Sequence, residues 1–209
     1  MSGWTHAAGP AVALPLENID TDQLIPARFM SAPRKEGYGR FLLHDLRWRQ
    51  DGQAQDIPTL DGAEILVSGR NFGCGSSREA AVYALVDHGI RAVLAPSFGD
   101  IFAGNAVNNG LLPAQIEDAL AERLMTRCPA RIAIDIDARS LSFEGETHPF
   151  TLEATWAEKL INGWDDIDLT AQHNDTIAAA ADARRREQPW VWPAAPEQDL
   201  RTTGRGARG

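Results

Sequence analysis

Short apolar runs bounded by turn formers recur along the chain: "AVALPL" at 11–16, "AEILVSG" at 63–69, "IRAVLAPS" at 90–97 and "LLPAQI" at 111–116. Runs of this length predict short strands, with 63–69 in a buried-strand pattern that ends in glycine. Between and after them, apolar residues fall at helical spacing in "REAAVYALVDHG" at 78–89, "FGDIFAGNAVNNG" at 98–110 and "EDALAERLMTR" at 117–127. Gly89 and Gly110 stand where helix-ending glycines belong. A polar turn leading into a short helix is predicted at 17–29. "ARIAIDID" at 130–137 alternates as a half-buried strand, and "SLSFEGETHPFTL" at 140–152 reads as a hairpin turning at Gly145. Two further helices are predicted around 153–161 and 174–186. Strands alternating with helices predict an α/β fold, its sheet partly parallel and flanked by helices.

Two stretches break the pattern. Residues 31–61 read as loop: "SAPRKEGYGRF" is basic and flexible, and "WRQDGQAQDIPTLDG" is dense in turn formers. Residues 189–209 combine proline, glycine and arginine after a short apolar anchor at 190–192. This predicts one domain over 1–192 and a disordered tail over 193–209.

The 209 residues are 44% hydrophobic, enough for a sizeable core, and carry a net charge of −9. A phosphate backbone needs a basic face, so nucleic acid is disfavoured and any cation meant for an anionic ligand must be local. Cys74 and Cys128 are the only cysteines, in no metal-binding spacing. Neither a disulfide framework nor a metal or iron–sulfur site built by this chain alone is expected. The start lacks a basic segment followed by an apolar run, and no stretch approaches ~18 uninterrupted apolar residues. A cytoplasmic chain with no membrane partner is the expectation.

The chemistry concentrates in "RNFGCGSSREAA" at 70–81. Ser76 and Glu79 satisfy a capping box, which alone would make the stretch a helix start. The box does not account for Gly73 and Gly75, which let the backbone turn tightly and come close to a ligand. A helix N-terminus and the fork of Arg78 would then favour a carboxylate. The spacing fits no P-loop, no hydrolase elbow and no dinucleotide fingerprint. The residues by themselves leave both readings open.

Other residues carry blander readings. His44, His88, His148 and His173 are scattered and read as surface or core. Cys74 has no base motif beside it and reads as packing or lining the loop. Asp165, Asp166 and Asp168 read as helix capping or a solvated turn, and Arg184, Arg185 and Arg186 as a solvated helix end. Asp20-Thr21-Asp22 by itself reads as an Asx turn.

Taken in order and spacing, "NIDTDQLIP", "NFGCGSSREAAVYAL", "VLAPSFGDIFAGNAVNNGLLP" and "DDIDLTAQHNDTIAA" resemble the small subunits of the 3-isopropylmalate dehydratases, within the aconitase superfamily. The resemblance runs from about residue 9 to 192. It implies a swivelling β/β/α domain that closes over a [4Fe-4S] cluster held by a separate large subunit, the two forming a heterodimer or higher assembly. It also implies a hydro-lyase of leucine biosynthesis, acting on a small hydroxy-diacid, in which this chain binds no cofactor itself.

By the same resemblance the serine base falls on Ser76, an oxyanion-stabilising serine on Ser77, and the substrate arginine on Arg78 beside Gly75. The aspartate that supports a histidine of the cluster-bearing region falls on Asp22. Two positions differ from the common pattern: Ala80 stands where "SSREH" has histidine, and Arg34-Lys35-Glu36-Gly37 stands where the substrate-facing loop often reads "TRTG". Arg34 or Lys35 would supply that loop's cationic contact. Rival readings are a paralogue handling methylmalate, dimethylmalate or homocitrate, and a non-catalytic dicarboxylate-binding module.

Overall fold

The computed structural model describes residues 2–48 and 57–192. The predicted tail at 193–209, and residues 49–56 of the predicted loop, lie outside them. In chain order the elements are β1 (His6–Leu14), α1 (Thr21–Leu24), α2 (His44–Arg47), β2 (Ile65–Ser68), α3 (Glu79–His88), β3 (Ala92–Ala95), α4 (Asp100–Asn108), β4 (Leu112–Gln115) and α5 (Asp118–Arg127). They continue with β5 (Ala130–Asp135), β6 (Ser140–Phe143), β7 (Glu146–Pro149), α6 (Ala154–Asn162), α7 (Asp166–Ala171) and α8 (Asn174–Glu187). The chain divides after Leu169 into two compact units.

The first unit is built on a seven-stranded sheet ordered β4-β3-β2-β1-β5-β6-β7. β1 to β4 pair in parallel, whereas β1/β5, β5/β6 and β6/β7 are antiparallel. Side chains alternate across the parallel half. Leu66 and Val93 enter one core layer with Leu24, Leu42, Phe72 and Leu85, while Ile65, Val67 and Leu94 enter a second with Leu124, Ile132 and Leu160. Both faces are covered, which is why these strands read as unbroken apolar runs. In β5 only Ile132 and Ile134 are buried, and Arg131 and Ala133 face outwards, as the alternating pattern predicts.

Differences from the sequence pattern have local causes. β1 begins at His6, ahead of the predicted run, because residues 6–10 pair with β5 through small side chains that carry little hydrophobic signal. The segment at 31–48 is folded rather than loose. Two 3-10 turns, Arg34–Glu36 and Gly39–Phe41, lead into α2, with Tyr38, Leu42 and Leu43 buried in the first core layer. α7 was not predicted, but Asp165 Oδ1 accepts the Ile167 and Asp168 amides at 2.8 Å, the capping role foreseen for this cluster. In the second unit Trp190 is 77% exposed, so it does not serve as the apolar anchor. Trp192 lies instead under Arg185, 4.6 Å from guanidinium carbon to ring centre.

Candidate active site

The loop between β2 and α3 is fastened to the start of α1 from below. Gly73 donates its amide to Ile19 O (2.7 Å), Thr21 donates its amide to Cys74 O (3.1 Å), and the Thr21 hydroxyl donates to Ser76 O (2.9 Å). Thr21 is buried, and its two bonds make it a positioning residue that the sequence pattern did not single out. Gly73 (φ +74°) and Gly75 (φ +90°) both adopt the left-handed conformation that glycine takes without strain. A Cβ on Gly73 would lie 2.1 Å from the Phe102 ring, which packs against Phe72 and Phe98. The two glycines therefore set the path of the loop over an aromatic base.

The predicted capping box is not formed. α3 starts at Glu79 with Arg78 as its cap residue, and no side chain caps it. The positive-φ turn at Gly75 holds Ser76 and Ser77 outside the helix, where both are exposed. Among the described residues neither hydroxyl has a hydrogen-bond partner. The box forms instead at α1, where the Asp20 carboxylate accepts the Gln23 amide (2.7 Å) and Gln23 Oε1 accepts the Asp20 amide (2.9 Å).

A cavity of about 200 Å³ opens here, lined by Thr21, residues 73–78 and residues 99–102. α4 also begins without a side-chain cap, at Gly99. Two helix N-termini, each worth roughly half a positive charge, thus border one cavity. Opposing them, Asp100 lies in the first turn of α4, and Arg78 forms an ion pair with Asp22. The fork expected to be open for a carboxylate is engaged by one of the chain's own.

Ser76, Ser77, Gly75, Arg78 and Asp22 are therefore brought together. Arg34 and Lys35 do not line the cavity. Arg34 binds Asp87 on the last turn of α3 through two bonds (2.6 and 3.0 Å), and Lys35 is exposed. Asp87 and Tyr83 went unnoticed in the sequence. The available signal was their i, i+4 spacing with Glu79 on α3. Cys74 lines the cavity as read, and among the described residues no group of three His, Cys, Asp or Glu side chains is placed to hold a metal ion. No helix among them is long and apolar enough to cross a membrane. Lys159, also unforeseen, is 3% exposed and donates to Asp166 (2.7 Å) and to Asn108, joining α6 to α7 and the end of α4. That contact holds the Asp166 carboxyl below its usual range.

Residues 1–119 match the Aconitase C-terminal domain family. The chain is 40% identical over 201 residues to the 3-isopropylmalate dehydratase small subunit of Rhodospirillum centenum, covering 91% of this chain and 99% of the relative. It is 42% identical over 178 residues to that of Shouchella clausii, covering 81% and 90% respectively. The solved structure of a 3-isopropylmalate dehydratase from Methanocaldococcus jannaschii superposes with a TM-score of 0.63 at 23% identity, covering 84% of this chain and 99% of that one, a likeness of fold. Near-complete coverage at this identity, on the same mixed sheet, places the chain in the small-subunit family of the 3-isopropylmalate dehydratases, with an aconitase-type α/β domain.

Proposed function

We propose that the chain is the small subunit of a hydro-lyase that interconverts 2-isopropylmalate and 3-isopropylmalate by removing and re-adding water through 2-isopropylmaleate, in the cytoplasm, together with a large subunit. The observation that carries the site reading is the convergence of two helix N-termini without side-chain caps, two left-handed glycines and Arg78 on one cavity, where the Ser76 hydroxyl has no hydrogen-bond partner among the described residues.

Ser76 would act as the base, taking the proton from the carbon next to a substrate carboxylate. A serine hydroxyl does this only if its alkoxide is strongly stabilised, and the loop amides, the start of α3 and Arg78 two residues on are the groups placed to do so. Ser77 and the Gly75 backbone would stabilise negative charge developing on the carboxylate. Arg78 would grip that carboxylate in place of Asp22, releasing Asp22 to orient a group of the large subunit. Lewis acidity for the departing hydroxyl is what a [4Fe-4S] cluster on the large subunit would supply. A four-iron cluster takes thiolate ligands in number, and Cys74 and Cys128 are this chain's only cysteines.

Reconstitution tests the reading. The chain purified alone is expected to be colourless and inactive, and to give isopropylmalate turnover once combined with a cluster-loaded large subunit. A sensor module could bind dicarboxylate but would add nothing to turnover. Stoichiometric iron–sulfur absorbance from this chain by itself would overturn the division of labour.

A further inference from the structure

The capping box offered by Ser76 and Glu79 stays open for a reason that lies on another helix. Closing it needs residues 77 and 78 in helical conformation and the Glu79 carboxylate turned back onto the Ser76 amide. Neither condition holds. Arg78 is extended (φ −135°, ψ 100°) and paired with Asp22, and the Ser76 amide has no hydrogen-bond partner among the described residues. The left-handed turn at Gly75 directs the loop, but it does not occupy the carboxylate.

Asn109 does. At the end of α4 its Nδ2 donates to Glu79 Oε1 and to Asn105 O, both at 2.9 Å. Two acceptors on one amide nitrogen use both of its protons and fix the way the side chain faces. The Asn109 backbone amide donates to Ala106 O at 3.0 Å, so one residue closes α4 and reaches α3. Its neighbour Asn108 is held from the other side: buried Lys159 donates to its Oδ1, and its Nδ2 donates to Asp166 at 2.9 Å. The end of α4 is thus tied to α6 and α7 while it grips the first turn of α3. Burial, and after it the Glu79 carboxylate, push the Tyr83 hydroxyl above its ordinary pKa, which places that carboxylate beside the next turn of α3.

We propose that Asn109 is a positioning residue for the loop that carries Ser76. By engaging Glu79 it keeps the carboxylate out of the capping box, so that α3 starts at Glu79, Arg78 stays extended and the Ser76 hydroxyl stays uncommitted. The assignment rests on the reading of Ser76 as the base.

Amide exchange on the full chain alone, followed residue by residue by NMR, tests the helix start without substrate or partner. In Asn109→Ala the Ser76 amide should exchange ~5-fold more slowly than in wild type, because the freed carboxylate accepts it. Adding Glu79→Ala should return it to the wild-type rate. In the enzyme reconstituted with its large subunit, Asn109→Ala should raise KM for isopropylmalate ~5-fold with kcat held within about twofold, since substrate takes only the chains whose box is open. Glu79→Ala in the same chain should bring KM back to within about twofold of wild type. Should Asn109→Ala fail to fold, Asn109→Asp, which keeps the size and repels Glu79, should give the same two shifts, both suppressed by Glu79→Ala. A KM that stays high in the double variant would overturn the proposal and leave Asn109 as the end cap of α4 alone. A Ser76 amide that exchanges at the wild-type rate in Asn109→Ala would overturn it equally. If a fully active Ser76→Ala enzyme were to sink the reading of the base, exchange at Ser76 would still decide whether Asn109 sets the start of α3.

Discussion

The two ends of α3 handle polar groups in opposite ways. Before its first turn, Ser76 and Ser77 stand exposed, and the helix start has no side-chain cap. At its last turn, Asp87 takes three hydrogen bonds and both ring nitrogens of His88 lie 3.2 Å from backbone carbonyls, those of Gly39 and Leu60. Satisfying polar groups locally is what folding favours. A helix start without a side-chain cap, bordered by a cavity, is what the proposed site would offer a ligand, while the hydrogen-bonded end serves the fold. The contrast also explains why both ends can carry cationic residues with different duties. Arg78 lies beside an opening, and Arg34 is part of the packing.

The largest effect is expected at the unsatisfied end. Ser76→Ala in the reconstituted enzyme should lower kcat by at least ~10² to 10⁴, the range for loss of a general base. Because Ser76 caps nothing, the melting temperature should stay put, without even the ~1 kcal/mol that a lost N-cap costs. A mutant with near-normal kcat would reduce the contrast to one of folding alone.

Next in size is the support beneath the loop. Gly73→Ala forces a left-handed Cβ into the Phe102 ring, itself held between Phe72 and Phe98. Backbone strain of ~1–2 kcal/mol and overpacking of ~1–3 kcal/mol act together, so the thermal midpoint should drop by on the order of 10 °C. At Gly75 the nearest atom to an added Cβ is 3.5 Å away, which leaves only the backbone cost. Equal melting temperatures for Gly73→Ala and Gly75→Ala would mean that the aromatic base does not set the loop.

How much of this was legible in the sequence follows from the range of the forces involved. The parallel strands and α3 to α5 were readable because burial on both sides of a sheet leaves a local hydrophobic signature. The capping-box rule found its residues at Ser76 and Glu79 but gave the wrong start. A left-handed glycine immediately before the box redirected the chain, and the same rule fitted Asp20 and Gln23 unnoticed. The fold of 31–48 was hidden because Tyr38, Leu42 and Leu43 reach the core without helical or strand periodicity. Arg34 and Lys35 could not be told apart because the deciding partner, Asp87, lies 53 residues on. The grouping of Ser76, Ser77, Arg78 and Asp22 came from resemblance, and spacing alone would have left Asp22 in a turn.

A smaller effect should follow from freeing Arg78. Asp22 is 56% exposed in its side chain, so solvent screens the pair and the gain from breaking it is modest. In the isolated chain, Asp22→Asn should strengthen 2-isopropylmalate binding several-fold by calorimetric titration, since one competing charge is removed beside the cavity. Unchanged affinity would mean that Arg78 is no part of the ligand site. The unsatisfied end of α3 would then lose its cation.

The smallest effect tests whether an exposed ion pair on the folded 27–48 segment resembles the Arg34–Asp87 seat. Arg28 binds Asp45 through two bonds, and the Arg28 hydrogen bond holds the Asp45 carboxyl at about 2, below its ordinary 3.8. A folded value below the unfolded one contributes stability that is fully present above about pH 4 and is lost as pH falls towards 2. Both side chains are about half exposed, at 54% and 51%, so screening keeps the contribution to a fraction of what the shift alone suggests. Melting temperatures between pH 2 and 5 should therefore fall slightly less steeply in Arg28→Ala than in wild type, and the two curves should converge in high salt. Asp87 accepts from a backbone amide as well as a guanidinium and is largely shielded, so Arg34→Ala should cost more at neutral pH and change less with salt. If the two arginine variants respond alike to salt, the seat on α3 is no more than a surface pair.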